Sequence, residues 1–171
     1  MAQDRFNNDV HVAGALSCQT LAIPENTVDN EDVAAAAGID ASKLDHQYVL
    51  HYSQDSTTKS ATAKYTVHCV RGATGTIEEF EAGSCTICGL DGTITIDLLK
   101  NDSTTSLLTS IITLDSANTA YVPESGTIAS TTAAALTHTD VLSVVITSAD
   151  GTGGTAGSGV FTSLVVREDA D

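Results

Sequence analysis

The chain has 171 residues, of which 42% are hydrophobic, and this length suits one domain of ordinary size with an appendage. Aromatic residues make up only 4% and Trp is absent, so any core must be built from Val, Ile, Leu and Ala. Lys plus Arg number 7 against 22 Asp plus Glu, a net charge of −15 that argues against nucleic acid and anionic membranes as partners.

The sequence has no features typical of a signal peptide or a membrane span, and this predicts the location of the chain and the redox state of its cysteines. The opening residues, "MAQDRFNNDV", are polar and have no basic segment leading into an apolar core, so we expect no signal peptide. No apolar run in the sequence approaches the length of a membrane span. We therefore expect synthesis in the cytoplasm. In that compartment the four cysteines, Cys18, Cys69, Cys85 and Cys88, should be free thiols.

Residues 1–24 are predicted to be an extended N-terminal arm, because "DVHVAGALSCQTLAIP" alternates over two short stretches and ends at Pro24. Such an arm is too short to bury its own apolar side chains. We expect it to pack on the main domain or on another chain. The predicted partner contacts are Val10, Val12, Leu16, Leu21 and Ile23.

Residues 25–60 are predicted to be a linker with one short helix and a possible first strand. "ENTVDNEDVAAAAGID" offers Asp29 or Asn30 as a helix N-cap, an alanine run, and Gly38 as a stop. The strand candidate is "HQYVLHYS", and "QDSTTKSAT" indicates an exposed loop after it.

Residues 61–171 are predicted to form an all-β domain, an antiparallel β-sandwich or jelly roll. Seven or eight short strands recur about every ten residues, with turn-forming residues between them. In "AKYTVHCVR" the alternation places Tyr65, Val67 and Cys69 on one face. In "GTITIDLLK" it places Ile94, Ile96 and Leu98 on one face, and Gly92–Asp115 as a whole is predicted to be a hairpin with a polar loop at Asn101–Thr105.

Cysteine and histidine patterns give no clear catalytic or metal site. "CTIC" at Cys85–Cys88 has the spacing of half a zinc site or of a redox pair, but it lacks a second ligand pair and a helix, which favours a structural role. The five histidines form no HExxH pattern, and no GxSxG motif is present. We predict no catalytic residue, no metal ligand and no cofactor, and hence not an enzyme.

Two further motifs can each be interpreted as a turn or loop, or as a binding site. "DGT" at Asp91 and again at Asp150 indicates tight turns more readily than calcium binding. The Gly-rich "ADGTGGTAGSG" lacks the lysine and helix of a P-loop, so we predict a flexible hairpin loop between the last two strands. Carbohydrate binding would need exposed aromatic residues, for which Tyr48, Tyr52 and Tyr121 are the candidates.

Three segments together resemble small structural proteins of tailed bacteriophages, namely capsid decoration (cement) proteins and head-fibre or tail-associated proteins. The segments are "NNDVHVAGALSCQTLAIP", "DLLKNDSTTSLLTSIITLDSANTAYVPESGTIAS" and "DVLSVVITSADGTGGTAGSGVFTSLVVRED". The resemblance implies a β-rich homotrimer on the virion surface, bound to the major capsid protein where capsid subunits meet and stabilising the shell. The alternatives are a tail or head-fibre adaptor that binds a receptor and, from another class, a jelly-roll metal-dependent enzyme.

Overall fold

The computed structural model describes residues 46–168, which form two antiparallel sheets. Along this part of the chain the strands are β1 (His46–Ser53), β2 (Ala63–Cys69), β3 (Thr74–Thr86), β4 (Thr93–Lys100), β5 (Ile112–Leu114), β6 (Glu124–Gly126), β7 (Ala135–Thr137), β8 (Val141–Ala149) and β9 (Ser158–Glu168). One short helix, α1 (Thr131–Ala134), precedes β7. This confirms the predicted all-β sandwich. The predicted arm and the helical part of the linker lie outside the described residues.

Sheet A has the strand order β1-β9-β3-β6, with β7 also paired to β3, and sheet B has the order β2-β8-β4-β5. The strand predicted at "HQYVLHYS" is confirmed: it is β1, and all eight of its residues are in register with β9. The sandwich therefore extends into the segment that the sequence assigned to the linker, and a boundary at residue 61 would separate β1 from its own sheet.

The core lies between the sheets and is built from the alternation that the sequence displays. Ile94, Ile96 and Leu98 of β4 are fully buried, as predicted, and they sit opposite inward residues of β8. Burying each such side chain stabilises the fold by about 1.5–3 kcal/mol relative to leaving it in water. Phe80 is the one aromatic side chain among the fully buried residues of this part of the chain.

The predicted hairpin at Gly92–Asp115 is confirmed, with Ile94 opposite Leu114 and Ile96 opposite Ile112. Its connection is longer than the five polar residues expected. Asn101 and Asp102 both have positive φ, 52° and 57°, as in the tight turns that suit hairpins. The chain then turns inward at Leu107, whose N–H donates to the Leu98 carbonyl at 2.9 Å, so the returning strand begins only at Ile112.

A β-bulge in β2 makes one predicted face wrong. Tyr65 and Thr66 oppose Val144 and Ser143, but the next pair joins His68 to Leu142, which leaves Val67 as the extra residue. Because directly opposed residues share a face and Leu142 is fully buried, His68 lies on the interior side of the sheet. Simple alternation along β2 predicts the opposite face for His68.

The Gly-rich segment before β9 packs against residues 89–92 and does not stand free as a hairpin loop. Asp91 accepts the backbone N–H groups of Thr152 at 2.7 Å and Gly153 at 3.2 Å, and these bonds hold the pKa of its carboxyl below the usual range. Asp150 accepts the Ala156 N–H at 2.9 Å. The aspartates of both "DGT" motifs thus anchor this loop. Within residues 46–168, no group of three His, Cys, Asp or Glu side chains is placed to hold a metal ion.

Gly154 should be irreplaceable in this loop, whereas its neighbour Gly153 should not. A Cβ at Gly154 would lie 1.9 Å from the Gly89 carbonyl oxygen and 2.8 Å from the Asp91 nitrogen, both of them backbone atoms that cannot move aside alone. At Gly153 the nearest atom would be 3.5 Å away, an ordinary contact. We expect Gly154→Ala to lower the free energy of unfolding by about 2–3 kcal/mol and Gly153→Ala to change it by less than about 0.5 kcal/mol. Urea unfolding measures both, and equal midpoints would contradict this close packing.

Candidate functional site at the open edge of the first strand

The N–H and C=O groups on one side of β1 have no strand beside them within residues 46–168, since β1 stands at the end of sheet A. The register tells which residues these are. Gln54 donates its N–H to the Val160 carbonyl at 2.8 Å, and the β1–β9 register runs unbroken back from this point. Because bonding alternates along an antiparallel pair, the even-numbered residues bond to β9. The odd-numbered residues Gln47, Val49, His51 and Ser53 direct their backbone groups to the open side.

This edge carries none of the features that usually block strand pairing. "HQYVLHYS" contains no Lys, Arg, Asp, Glu or Pro, it runs for eight residues without a bulge, and Val49 is 56% exposed on it. Exposed edges are normally shortened, bulged or charged. We define the open edge as the free side of Gln47, Val49, His51 and Ser53.

The other sheet ends of the described chain are protected in those ways. β2, at the end of sheet B, has Lys64 and the bulge at Val67. β5 and β6 are only three residues long. Of the strands at sheet ends in residues 46–168, β1 alone is long, uncharged and regular, which makes it the best candidate for pairing with another chain.

Aromatic contacts hold β1 against β2 across the gap between the sheets. The rings of Tyr52 and Tyr65 lie 4.2 Å apart, and those of Tyr48 and His68 lie 5.6 Å apart. Burial and the hydrogen bond to Tyr65 raise the pKa of Tyr52 to about 12, so its hydroxyl stays protonated in any ordinary buffer. These contacts fix the edge strand in place, and a rigid edge loses less entropy when it pairs.

A buried carboxylate, that of Glu168, lies beside the first residue of β1. Glu168 lies opposite His46 in the β1–β9 register and its side chain is only 3% exposed. It contacts His68 Nε2 at 2.5 Å and accepts the N–H groups of Gly72 at 2.7 Å and Arg71 at 3.0 Å. Burial alone would raise its pKa, but the Gly72 N–H, His68 and the Arg71 N–H outweigh burial and leave the pKa below its usual value. The bulge in β2 makes this contact, because it turns His68 inward.

The predicted contact residues Val10, Val12, Leu16, Leu21 and Ile23 all lie outside the described residues, so their role stays a prediction. The sequence interpretation missed the open edge because it placed "HQYVLHYS" in the linker. Absence of charge from that strand is not a sufficient signal, because the central strand β8 is also uncharged.

The two cysteines of "CTIC" have different surroundings. Cys85 lies in β3, whereas Cys88 is buried beyond its end, where its thiol contacts the Leu114 carbonyl at 3.3 Å and the Gly157 N–H at 3.2 Å. Both are free thiols in this structure, as is Cys69. Cys88 therefore has a packing role, in which it joins the end of β5 to the loop before β9. Cys18 lies outside the described residues.

No helix within residues 46–168 has the length and apolar character needed to cross a membrane. Comparison with known proteins gives no family: no family model, no curated protein and no solved structure matches the chain.

Proposed function

We propose that this protein is a structural component of a tailed-phage virion, a capsid decoration (cement) protein that binds the outer surface of the shell and stabilises it. The observation that carries the proposal is the open edge of β1, a surface suited to backbone pairing with another chain. The resemblance of the three quoted segments to phage structural proteins supplies the identity of the partner, the major capsid protein.

The mechanism would be strand addition. Backbone hydrogen bonds from an added strand give affinity, and side chains beside it, such as the exposed Val49, give selectivity. The proposed assembly is a homotrimer, and many copies acting on one shell allow each contact to be weak. The net charge of −15 favours a partner surface with basic groups and disfavours DNA and anionic membranes. Neither the trimer nor the shell contact needs a cofactor.

The test uses undecorated shells of the phage that encodes the chain. We expect purified protein to sediment with these shells to saturation and to raise the temperature at which they come apart, because a ligand that binds only the assembled state stabilises it. Protein that stays in the supernatant at every concentration, or binding that leaves shell stability unchanged, would overturn the proposal.

A further inference from the structure

A cleft of about 330 Å³ lies on the outer face of sheet A, away from the core and beside the open edge. Its size falls at the lower end of the range for small-molecule sites. β1, β9 and β3 supply most of its wall, and the loop before β6 adds Pro123. The lining residues are His51, Tyr52, Ser53, Glu81, Pro123, Phe161, Thr162 and Ser163.

Three polar side chains form one row across this cleft. His51 is directly opposite Ser163, and Ser163 is directly opposite Glu81. All three face outward, because their neighbours along each strand point into the core. Adjacent strands lie about 4.8 Å apart, so the row spans roughly 10 Å from His51 to Glu81, with the Ser163 hydroxyl between them.

The row offers both donors and acceptors to a ligand. Ser125 donates its hydroxyl to Glu81 Oε1 at 3.1 Å, which orients the carboxylate. Within residues 46–168 this is the one side-chain bond that Glu81 makes, and its other oxygen faces no donor there. The exposed His51 likewise has no hydrogen-bond partner among the described residues, so its ring nitrogens are available to a hydroxyl group.

An aromatic ring beside the row is held in place by a glycine. A Cβ at Gly83 would lie 2.5 Å from Phe161 Cζ and 3.1 Å from the Val122 carbonyl oxygen. The absence of that atom lets the Phe161 ring settle over β3, half-buried, at the cleft wall. An apolar wall with a few convergent polar groups is the usual make-up of a small-ligand site.

We infer that this cleft binds one neutral sugar unit of a glycan. A sugar ring has an apolar face that can pack on Phe161 and hydroxyl groups that can bond to Glu81, Ser163 and His51. The Glu81 carboxylate and the net charge of −15 disfavour anionic ligands such as uronic acids, sulfates and phosphates. The aromatic residue that carries this inference is Phe161, not one of the three tyrosines suggested by composition.

The probes are the methyl glycosides of glucose, galactose, mannose and N-acetylglucosamine, with glucuronic acid as the anionic comparison. Amide chemical shifts of the isotope-labelled full chain would be followed by NMR during titration. We expect at least one neutral sugar to shift the signals of His51 and Ser163 to saturation, and glucuronic acid to leave them unchanged. Saturable shifts confined to other regions, no shift with any neutral sugar, or equal binding of glucuronic acid would overturn the inference.

Glu81→Ala should weaken the sugar's affinity by roughly tenfold or more, because it removes a charged hydrogen-bond acceptor. Glu79→Ala is the matched control: Glu79 also faces outward on β3, opposite Val165, but does not line the cleft. Phe161→Leu tests the aromatic wall separately and should also weaken binding. Equal losses from Glu79→Ala and Glu81→Ala would overturn the inference. Sedimentation of Glu81→Ala with shells should match wild type, so this site and the proposed shell binding fail or succeed independently.

Discussion

Replacing Glu168 with alanine is expected to lower the free energy of unfolding by about 2–3 kcal/mol, the cost of leaving buried hydrogen-bond donors without their acceptor. The carboxylate is the shared acceptor for His68 and for the N–H groups of Arg71 and Gly72. Its loss leaves all three donors facing a cavity. Chemical denaturation of the variant measures this loss.

Glu78→Ala is the matched control for this variant. Glu78 forms an ion pair with Arg167 at 3.6 Å, and both side chains are well exposed. An exposed pair of this kind contributes about 0–1 kcal/mol. Equal destabilisation by the two substitutions would contradict the role given to Glu168.

The same carboxylate should make stability depend on pH in a defined direction. The pKa of Glu168 is lower in the folded state than its usual value of 4.5. A group with a depressed pKa stabilises the fold fully above its unfolded pKa and progressively less as the pH falls through the folded one. The wild-type protein should therefore lose more stability below pH 4.5 than Glu168→Gln does, a comparison that cancels the effect of the other acidic groups. Parallel pH profiles for the two proteins would contradict the assignment.

Val49→Pro is expected to weaken binding to shells by roughly tenfold or more while leaving the sandwich folded. The Val49 N–H points to the open side, so proline removes no bond to β9. It does remove a donor from the open edge and places a ring where an added strand must lie. Sedimentation with undecorated shells over a range of concentrations measures the affinity.

The control at this position is Val49→Thr, which keeps the N–H and the β-branched shape. Its affinity should stay within about threefold of wild type, since the backbone bond is worth more than the exposed methyl group. If Val49→Pro sediments like wild type while remaining folded, strand addition at β1 is wrong.

Regular alternation made most of the fold predictable from the sequence. The pattern of β4 identified its buried face because β4 has neighbours on both sides and no bulge, so period two holds along its length. The β2 pattern failed at Val67, where one extra residue reverses the face of everything beyond it. A bulge of this kind depends on the partner strand, and the local sequence does not reveal it.

The candidate site was less predictable, because its contacts also depend on pairing between strands that are distant in the sequence. The carboxylate of Glu168 and the ring of His68 are a hundred residues apart, and only the bulge and the sheet pairing bring them together. The row of His51, Ser163 and Glu81 likewise depends on the register of three strands. Lack of charge does not identify the open edge, because the central strand β8 is uncharged as well. The place of β1 at the end of a sheet follows from strand pairing, which the local sequence does not reveal.

Hydrogen exchange at the backbone amides of β1, with and without shells, tests strand addition most directly. In the free protein the even-numbered amides should exchange slowly, because they bond to β9, and the odd-numbered amides of Gln47, Val49, His51 and Ser53 should exchange fast. When shells are saturated with the protein, the account predicts that these four amides become protected while exposed amides elsewhere stay fast. Fast exchange at all four in the saturated complex would contradict it.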